Sequence, residues 1–270
     1  TKASPKEMLP IVDKPLIQYA VEEAVRAGIN ELVFITGRGK RAIEDHFDKA
    51  YEVETELHAR GKKALLKSVQ DVLPRNARCI YVRQAETLGL GHAVLCAANV
   101  IGDEPFAVIL ADDLIDAEPS VIKQMTDIYR KYQCSMLGVQ QVPRKDTSQY
   151  GIVKTGTLAP KLHNITGIVE KPRPDKSPST LGVVGRYILT PRIFHYLKKI
   201  KAGRGGEIQL TDAIAALLGD ESVLAYEFSG TRYDCGSKLG YLKATLAYAA
   251  KHPEIGKEFS SYLASLVKRI

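Results

Sequence analysis

The chain has 270 residues, enough to bury a sizeable core as one large domain or one domain with an appendage. Its 45% hydrophobic and 26% charged content is that of an ordinary soluble globular protein, and no apolar stretch approaches the roughly 20 residues that span a bilayer. The formal net charge of +7 suits an anionic partner, but the lysines and arginines are scattered. The densest groups, Arg60, Lys62, Lys63, Lys67 and Lys198, Lys199, Lys201, Arg204, lack interleaved aromatics and read as solvated faces, not a nucleic-acid surface. Cys79, Cys96, Cys134 and Cys235 are widely spaced, which argues for a reducing cytoplasm and against zinc or a disulfide framework.

Leu16, Ile17, Ala20, Val21, Ala24 and Val25 recur at helical spacing, so a helix is expected over 16–28, stopped by Gly28. A buried strand is expected over 32–36, a polar helical region over 40–73, and a strand over 79–82. An Ala-rich helix over 91–100, a strand over 106–111, a helix over 121–132 and a strand over 135–142 follow. This alternation predicts a parallel sheet covered on both faces. After Pro143 the rhythm changes. Three strands, 151–155, 164–170 and 182–189, are separated by turn-rich segments. Helices over 191–200 and 208–218, a strand over 223–228, and helices over 238–251 and 254–270 complete the chain. There is no internal repeat and no low-complexity segment.

Several segments carry candidate chemistry. The strand ending Gly167-Ile168-Val169-Glu170-Lys171-Pro172 presents a carboxylate beside an ammonium, with Pro172 stopping the ladder. Glu170 can accept from sugar hydroxyls and Lys171 can bind a phosphate, so the pair suits a sugar phosphate. Most Glu-Lys pairs are merely solvated, so the pair gains weight only in company. Gly37 to Ala42 superficially matches a dinucleotide fingerprint, but no second strand ending in an acid follows, and a strand-to-helix turn is the better reading.

At Gln84 to Ala93 a strand ends in a glutamine, and Gly89 and Gly91 precede a helix of small residues. Glycines allow close backbone approach to a ligand, and the Gln84 amide suits the edge of a base. A plain glycine turn explains the same residues, with His92 a structural helix-start residue. Asp112 and Asp113 close a buried strand, where open α/β sheets line their ligand crevice. Adjacent acids there suit Mg²⁺ with bound phosphates; the competing reading is an acidic turn. Asp234, before Gly236 and a helix, is equally a second metal ligand or a turn acid. Lys2 and Lys6 lie in a proline-bracketed loop, where a lysine near phosphates acts as a mobile point charge. Any basic loop would look the same.

Taken together and in this order, these segments resemble the nucleoside-diphosphate-sugar pyrophosphorylase family, in its uridylyl branch. The resemblance is carried by residues 1–15, 84–93, 111–115, 150–153, 166–172, 183–187, 205–213 and 233–240. The runs Gly-Gly-Glu-Ile-Gln-Leu-Thr-Asp-Ala and Arg-Tyr-Asp-Cys-Gly-Ser-Lys are long and specific matches. The resemblance implies an α/β fold: a Rossmann-like, mixed, mostly parallel sheet flanked by helices, with a sugar-binding β-rich part. One nucleotidyltransferase domain over 1–270 is expected, with a nucleotide-binding half (1–142), a sugar-phosphate-binding half (143–236) and C-terminal helices (237–270).

It further implies Mg²⁺-dependent in-line transfer, in which glucose 1-phosphate attacks the α-phosphorus of UTP, UDP-glucose forms and pyrophosphate leaves. Carried over by residue, Lys6 contacts phosphates, Gln84 and Gly89 hold uracil, and Asp112 and Asp234 bind Mg²⁺. Gly151, Glu170 and Val183 line the glucose pocket, and Lys171 binds the sugar phosphate. Asp113 is a less secure neighbour, and Glu207 and Gln209 belong to a signature without an assigned role. The alternatives are the same transfer with dTTP or galactose 1-phosphate, and a non-catalytic regulatory homologue, against which Asp112 and Asp234 argue. A cytoplasmic homo-oligomer, dimer or tetramer, with no nucleic-acid or membrane partner is expected. The family opens with a strand and a Gly-x-Gly-Thr-Arg loop that this chain lacks before Thr1. The biological chain is therefore expected to extend further by about 15–25 residues.

Overall fold

The computed structural model describes residues 4–267, so Lys2 lies outside the described residues. A short loop and the strands β1 (Pro10–Ile11) and β2 (Lys14–Pro15) lead into helix α1 (Leu16–Arg26). Leu16, Val21 and Ala24 form its buried stripe, and Gly28 follows at φ +88°, a conformation that ends helices. Strand β3 (Glu31–Thr36) comes next. The polar region 40–73 is three helices, α2 (Arg41–Phe47), α3 (Tyr51–Ala59) and α4 (Lys63–Gln70). Gly61, at φ +66°, separates the last two, which pack on each other and contain no buried residue.

Strand β4 (Arg78–Arg83) is followed by α5 (Leu90–Cys96), α6 (Ala98–Ile101), β5 (Phe106–Ile109) and β6 (Asp113–Asp116). Helix α7 (Val121–Tyr132) has the expected bounds, with the Ser120 hydroxyl accepting from the Lys123 N–H at 3.4 Å. Then come β7 (Met136–Gln141), β8 (Gly151–Ala159), β9 (Leu162–Glu170) and β10 (Leu181–Leu189). Helices α8 (Ile193–Leu197) and α9 (Leu210–Leu217), and strands β11 (Leu224–Glu227) and β12 (Thr231–Asp234), follow. Helices α10 (Lys238–Lys251) and α11 (Gly256–Val267) end the described chain. Among the described residues no helix is long and apolar enough to cross a membrane.

The central sheet has the order β5-β10-β7-β11-β9-β8. Helices cover both faces. Val94, Phe194, Leu197, Leu210, Ile214 and Leu217, from α5, α8 and α9, build one core cluster, and Val121 and Met125 of α7 join another. The fold is therefore mixed α/β, but the expected mostly parallel sheet is not what forms. Only β3–β4 and β7–β11 pair in parallel among the described residues. The reason is β10. All nine of its residues are buried, so it takes an interior slot, running antiparallel between β5 and β7. Helix-strand alternation alone would have made β5 and β7 neighbours. Strands β6 and β12, which pair antiparallel with each other, went unforeseen because four residues ending in aspartates read as turns.

At the centre of β10 stands Arg186, 1% exposed. Its guanidinium clasps Glu23 of α1, with Nη2 donating at 2.7 Å and Nε at 3.1 Å. Nη1 also donates to the Leu110 carbonyl at 3.2 Å and Nη2 to the Asp113 carbonyl at 2.8 Å. Glu23 in turn accepts from the Ile122 N–H of α7 at 3.1 Å. Removing one partner of such a pair leaves a buried, uncompensated charge. Arg186→Met is expected to cost about 3–5 kcal/mol, and adding Glu23→Leu to recover part of it. Urea unfolding at pH 7 measures both, and an unchanged Arg186→Met midpoint would show the pair to be dispensable.

Candidate functional site

One cleft of about 340 Å³ opens where the end of β5, the start of β8, the end of β9 and the middle of β10 converge. Space for it comes from an irregularity in β10, whose register against β7 shifts between Val183 and Tyr187. Gly185 sits in that irregularity at φ +28°; a Cβ there would lie 2.5 Å from Asp113 Oδ2. Asp112, Gly151, Glu170, Lys171, Val183 and Asp234 all line the cleft.

One wall is acidic. The β6–β12 ladder sets Asp234 opposite Asp113, and the Cys235 N–H donates to the Asp112 carbonyl at 2.8 Å. The Asp112 and Asp234 carboxylates face a common point above Gly236. A Cβ at 236 would lie 3.0 Å from Asp234 Oδ1 and 3.5 Å from Asp112 Oδ2. Lys6 donates to Asp112 Oδ2 at 2.5 Å. Burial alone would lower its pKa, but the Asp112 hydrogen bond and the charges of Asp112, Glu7 and Asp234 outweigh it and hold it above the ordinary value. A cation therefore already stands against this pair. No group of three or more His, Cys, Asp or Glu that could hold a metal occurs among the described residues.

The opposite wall carries Glu170 and Lys171. Gly151 pairs with Glu170 across the β8–β9 ladder, and the Thr211 hydroxyl donates to Glu170 Oε2 at 3.0 Å. A Cβ on Gly151 would meet Thr211 Cγ2 at 2.8 Å, so only glycine leaves this corner open. Lys171 has φ +44°, and its N–H donates to the Tyr150 carbonyl at 3.0 Å. Such a conformation in a non-glycine residue costs on the order of 1–3 kcal/mol and clusters at working sites. The Lys171 ammonium lies 3.4 Å from Glu170 Oε1 and is half-exposed, free to take an anion.

Gln84 and Gly89 do not line this cleft. The Gln84 amide donates to the Gly89 carbonyl at 3.2 Å and lies 3.0 Å from His92 Nδ1. Gly89, at φ +91°, packs against Glu207, where a Cβ would clash at 2.9 Å. The turn is stitched to the segment before α9 by Ile208 N–H to Leu88 carbonyl (2.7 Å) and Gly91 N–H to Ile208 carbonyl (2.9 Å). Its neighbours Leu90 and Glu207 do line the cleft, so the turn adjoins that wall. Glu207 also accepts from the Gln209 amide at 2.8 Å.

Sequence reasoning missed Tyr150, Thr211 and Arg232 as members of the wall. Arg232 donates to Asp113, whose carboxyl burial pushes up while Arg232 and Arg186 draw it down. A strand reading of 231–234 would have placed Arg232 on the same face as Asp234, because side chains two apart share a face. No residue of the Gly37 to Ala42 turn is among those lining the cleft; its glycines meet open space, and Lys40 donates to Glu7 at 2.7 Å. The basic groups at 60–67 and 198–201 are exposed, as expected.

Residues 1–251 match the nucleotidyl transferase family. The chain belongs to that family. It is 49% identical over 269 residues to a UTP–glucose-1-phosphate uridylyltransferase of Bacillus subtilis (strain 168), spanning 100% of this chain and 92% of that relative. A UDP-glucose pyrophosphorylase solved in complex with UDP-glucose superposes with a TM-score of 0.84 at 48% identity, covering 92% of this chain and 91% of that one. A UTP-bound pyrophosphorylase from Acinetobacter baumannii superposes with a TM-score of 0.90 at 42% identity, covering 98% and 93%. The resemblance drawn from the motifs is thus borne out, and this nucleotidyl transferase is an enzyme of the nucleotide-sugar-forming kind.

Cys235, beside the acidic wall, is buried, and burial followed by the Asp234 charge pushes its thiol up to about 12. At pH 8 the thiol therefore stays protonated, and the thiol form is not the nucleophile. Cys235 is expected to resist iodoacetamide in the native protein and to react once denatured, as read by peptide mass mapping. Labelling of native Cys235 at the rate of a free thiol would contradict the burial.

Proposed function

We propose that this chain transfers a uridylyl group from UTP to glucose 1-phosphate, with Mg²⁺, giving UDP-glucose and pyrophosphate. The observation that carries this is the cleft itself: a carboxylate pair on one wall, with Lys6 standing against Asp112 although it is not itself a lining residue, and Glu170 beside Lys171 on the other. The similarity to uridylyltransferases over the whole chain supports the choice of substrates. In this reading residues 1–142 bind nucleotide, 143–236 bind sugar phosphate, and the C-terminal helices follow. The setting is the cytoplasm, and the chain works as a homo-oligomer.

The chemistry needs two polyanions to meet, and their repulsion must be offset at the contact. Lys6 serves the triphosphate and Lys171 the sugar phosphate. Gln84, with Gly89 behind it, reads the uracil edge, while Gly151, Glu170 and Val183 line the glucose pocket. The sugar phosphate is already anionic at neutral pH, so a phosphate oxygen attacks the α-phosphorus without a general base and pyrophosphate leaves. Catalysis is then positioning plus electrostatic stabilisation.

The donor set suits Mg²⁺, since Asp112 and Asp234 offer oxygens only and Mg²⁺ takes one or two carboxylates with waters and phosphates. When bound, it would neutralise charge developing on the phosphates. Lys6 on Asp112 marks where positive charge is favoured.

The deciding assay is pyrophosphate release with UTP, glucose 1-phosphate and Mg²⁺, against CTP, dTTP and galactose 1-phosphate as controls. Asp112→Asn and Asp234→Asn are each expected to lower turnover by at least about a hundredfold with the thermal midpoint little changed. Full activity of either variant at low Mg²⁺ would remove that residue from the metal site. Lys171→Ala is expected to weaken glucose 1-phosphate use by about 1.5–3 kcal/mol while sparing UTP. A change in the UTP KM alone would mean that the sugar-phosphate subsite lies elsewhere.

A further inference from the structure

We propose that Arg232 is a positioning residue that ties the carboxylate wall of the cleft to its sugar-phosphate wall, acting on Lys171 through Tyr150. The proposal rests on the function assigned above and adds to it the device that holds the second substrate's ligand in place.

Arg232 stands two residues before Asp234 on β12, so both side chains leave the same face and both line the cleft. Its guanidinium is nonetheless a poor candidate for direct substrate binding. Nε and Nη2 reach Asp113 Oδ1 at 2.6 and 2.5 Å, and Nη1 donates to the Tyr150 hydroxyl at 3.0 Å. The group also lies 5.2 Å from the centre of the Tyr150 ring. Only 12% of the Arg232 side chain and 11% of the Asp113 side chain are exposed. All three guanidinium nitrogens are therefore engaged on protein, in a nearly dry setting where such contacts are strong.

The two things Arg232 joins matter differently. Asp113 directly follows Asp112, and its own backbone is gripped by Arg186. Tyr150 is the main-chain partner of Lys171, accepting its N–H at 3.0 Å, and it directly precedes Gly151, the partner of Glu170. Lys171 needs this support because φ +44° is unfavourable for a residue with a Cβ. With its hydroxyl and ring held by Arg232, Tyr150 keeps its backbone in place; without that hold the backbone can shift, its carbonyl moves, and Lys171 can relax away from the phosphate position. The planar fork of arginine joins Asp113 to Tyr150; a lysine offers one point charge and cannot span both with the same geometry.

The test varies each substrate in turn for the wild type, Arg232→Gln, Arg232→Lys, Tyr150→Phe and the Arg232→Gln/Tyr150→Phe double variant. Arg232→Gln is expected to raise the KM for glucose 1-phosphate about tenfold while the KM for UTP stays within about twofold. Arg232→Lys restores only part of the loss. Tyr150→Phe keeps the ring and the carbonyl, leaves no charge unpaired, and raises the same KM in the same direction. The double variant is no worse than Arg232→Gln, as befits two groups in one contact. If Arg232→Gln does not fold, Tyr150→Phe alone decides. Equal rises in both KM values, purely additive effects, or an unshifted Tyr150→Phe overturn the proposal while leaving the assigned function intact. A wild type that releases no pyrophosphate from UTP and glucose 1-phosphate overturns the assigned function instead, and the proposal falls with it.

Discussion

The geometry of the cleft depends on one buried ion pair, Arg186 with Glu23. Desolvating two charges is expensive, and a buried pair is sustained only when its remaining donors and acceptors are satisfied. Here they are. Glu23 takes the Arg186 fork and the Ile122 N–H, and Arg186 spends its other donors on the Leu110, Gly185 and Asp113 carbonyls. One side chain thus fixes α1, α7, the bulged middle of β10, and the turn on which Asp112 stands. An apolar residue at 186 could fill the volume but could not hold that turn.

With the turn held, charge in the cleft is arranged in sequence: acids over Gly236, the Arg232 strut, then the Glu170–Lys171 pair. Every cation that touches an acid here does so within hydrogen-bonding reach or just beyond it. An anion entering the cleft would displace the contact of Lys171 with Glu170 more easily than the doubly held contact of Arg232 with Asp113. The division between mobile and fixed positive charge follows from burial, since Lys171 is half-exposed while Arg232 is almost enclosed.

Much of this could be read from the chain. Helices α7 and α10 appear at their expected bounds because serines cap them and apolar spacing runs through them. The acids and the Glu-Lys strand end were visible because polar residues at the ends of buried strands are conspicuous. What was hidden is nonlocal. Nothing within β10 says that it runs antiparallel between β5 and β7, and nothing within 231–234 announces a partner more than a hundred residues away. Arg232 joined the cleft through the β6–β12 pairing, Tyr150 through its carbonyl on the Lys171 N–H, and Thr211 through its hydroxyl on Glu170. The Gln84 amide donates to the carbonyl of its own glycine turn, a contact that the sequence did not announce.

The helical hairpin of α3 and α4 has a different standing from everything around the cleft. With no buried residue in either helix, its unfolding would expose almost no core. Its free energy of opening is set by its own few backbone bonds and surface contacts, not by the cooperative unit that Arg186 closes. The hairpin is a local unit that can open without the core around the cleft. Its amides should exchange with solvent far sooner than those of β10, and changes of length there are the cheapest that this chain can tolerate.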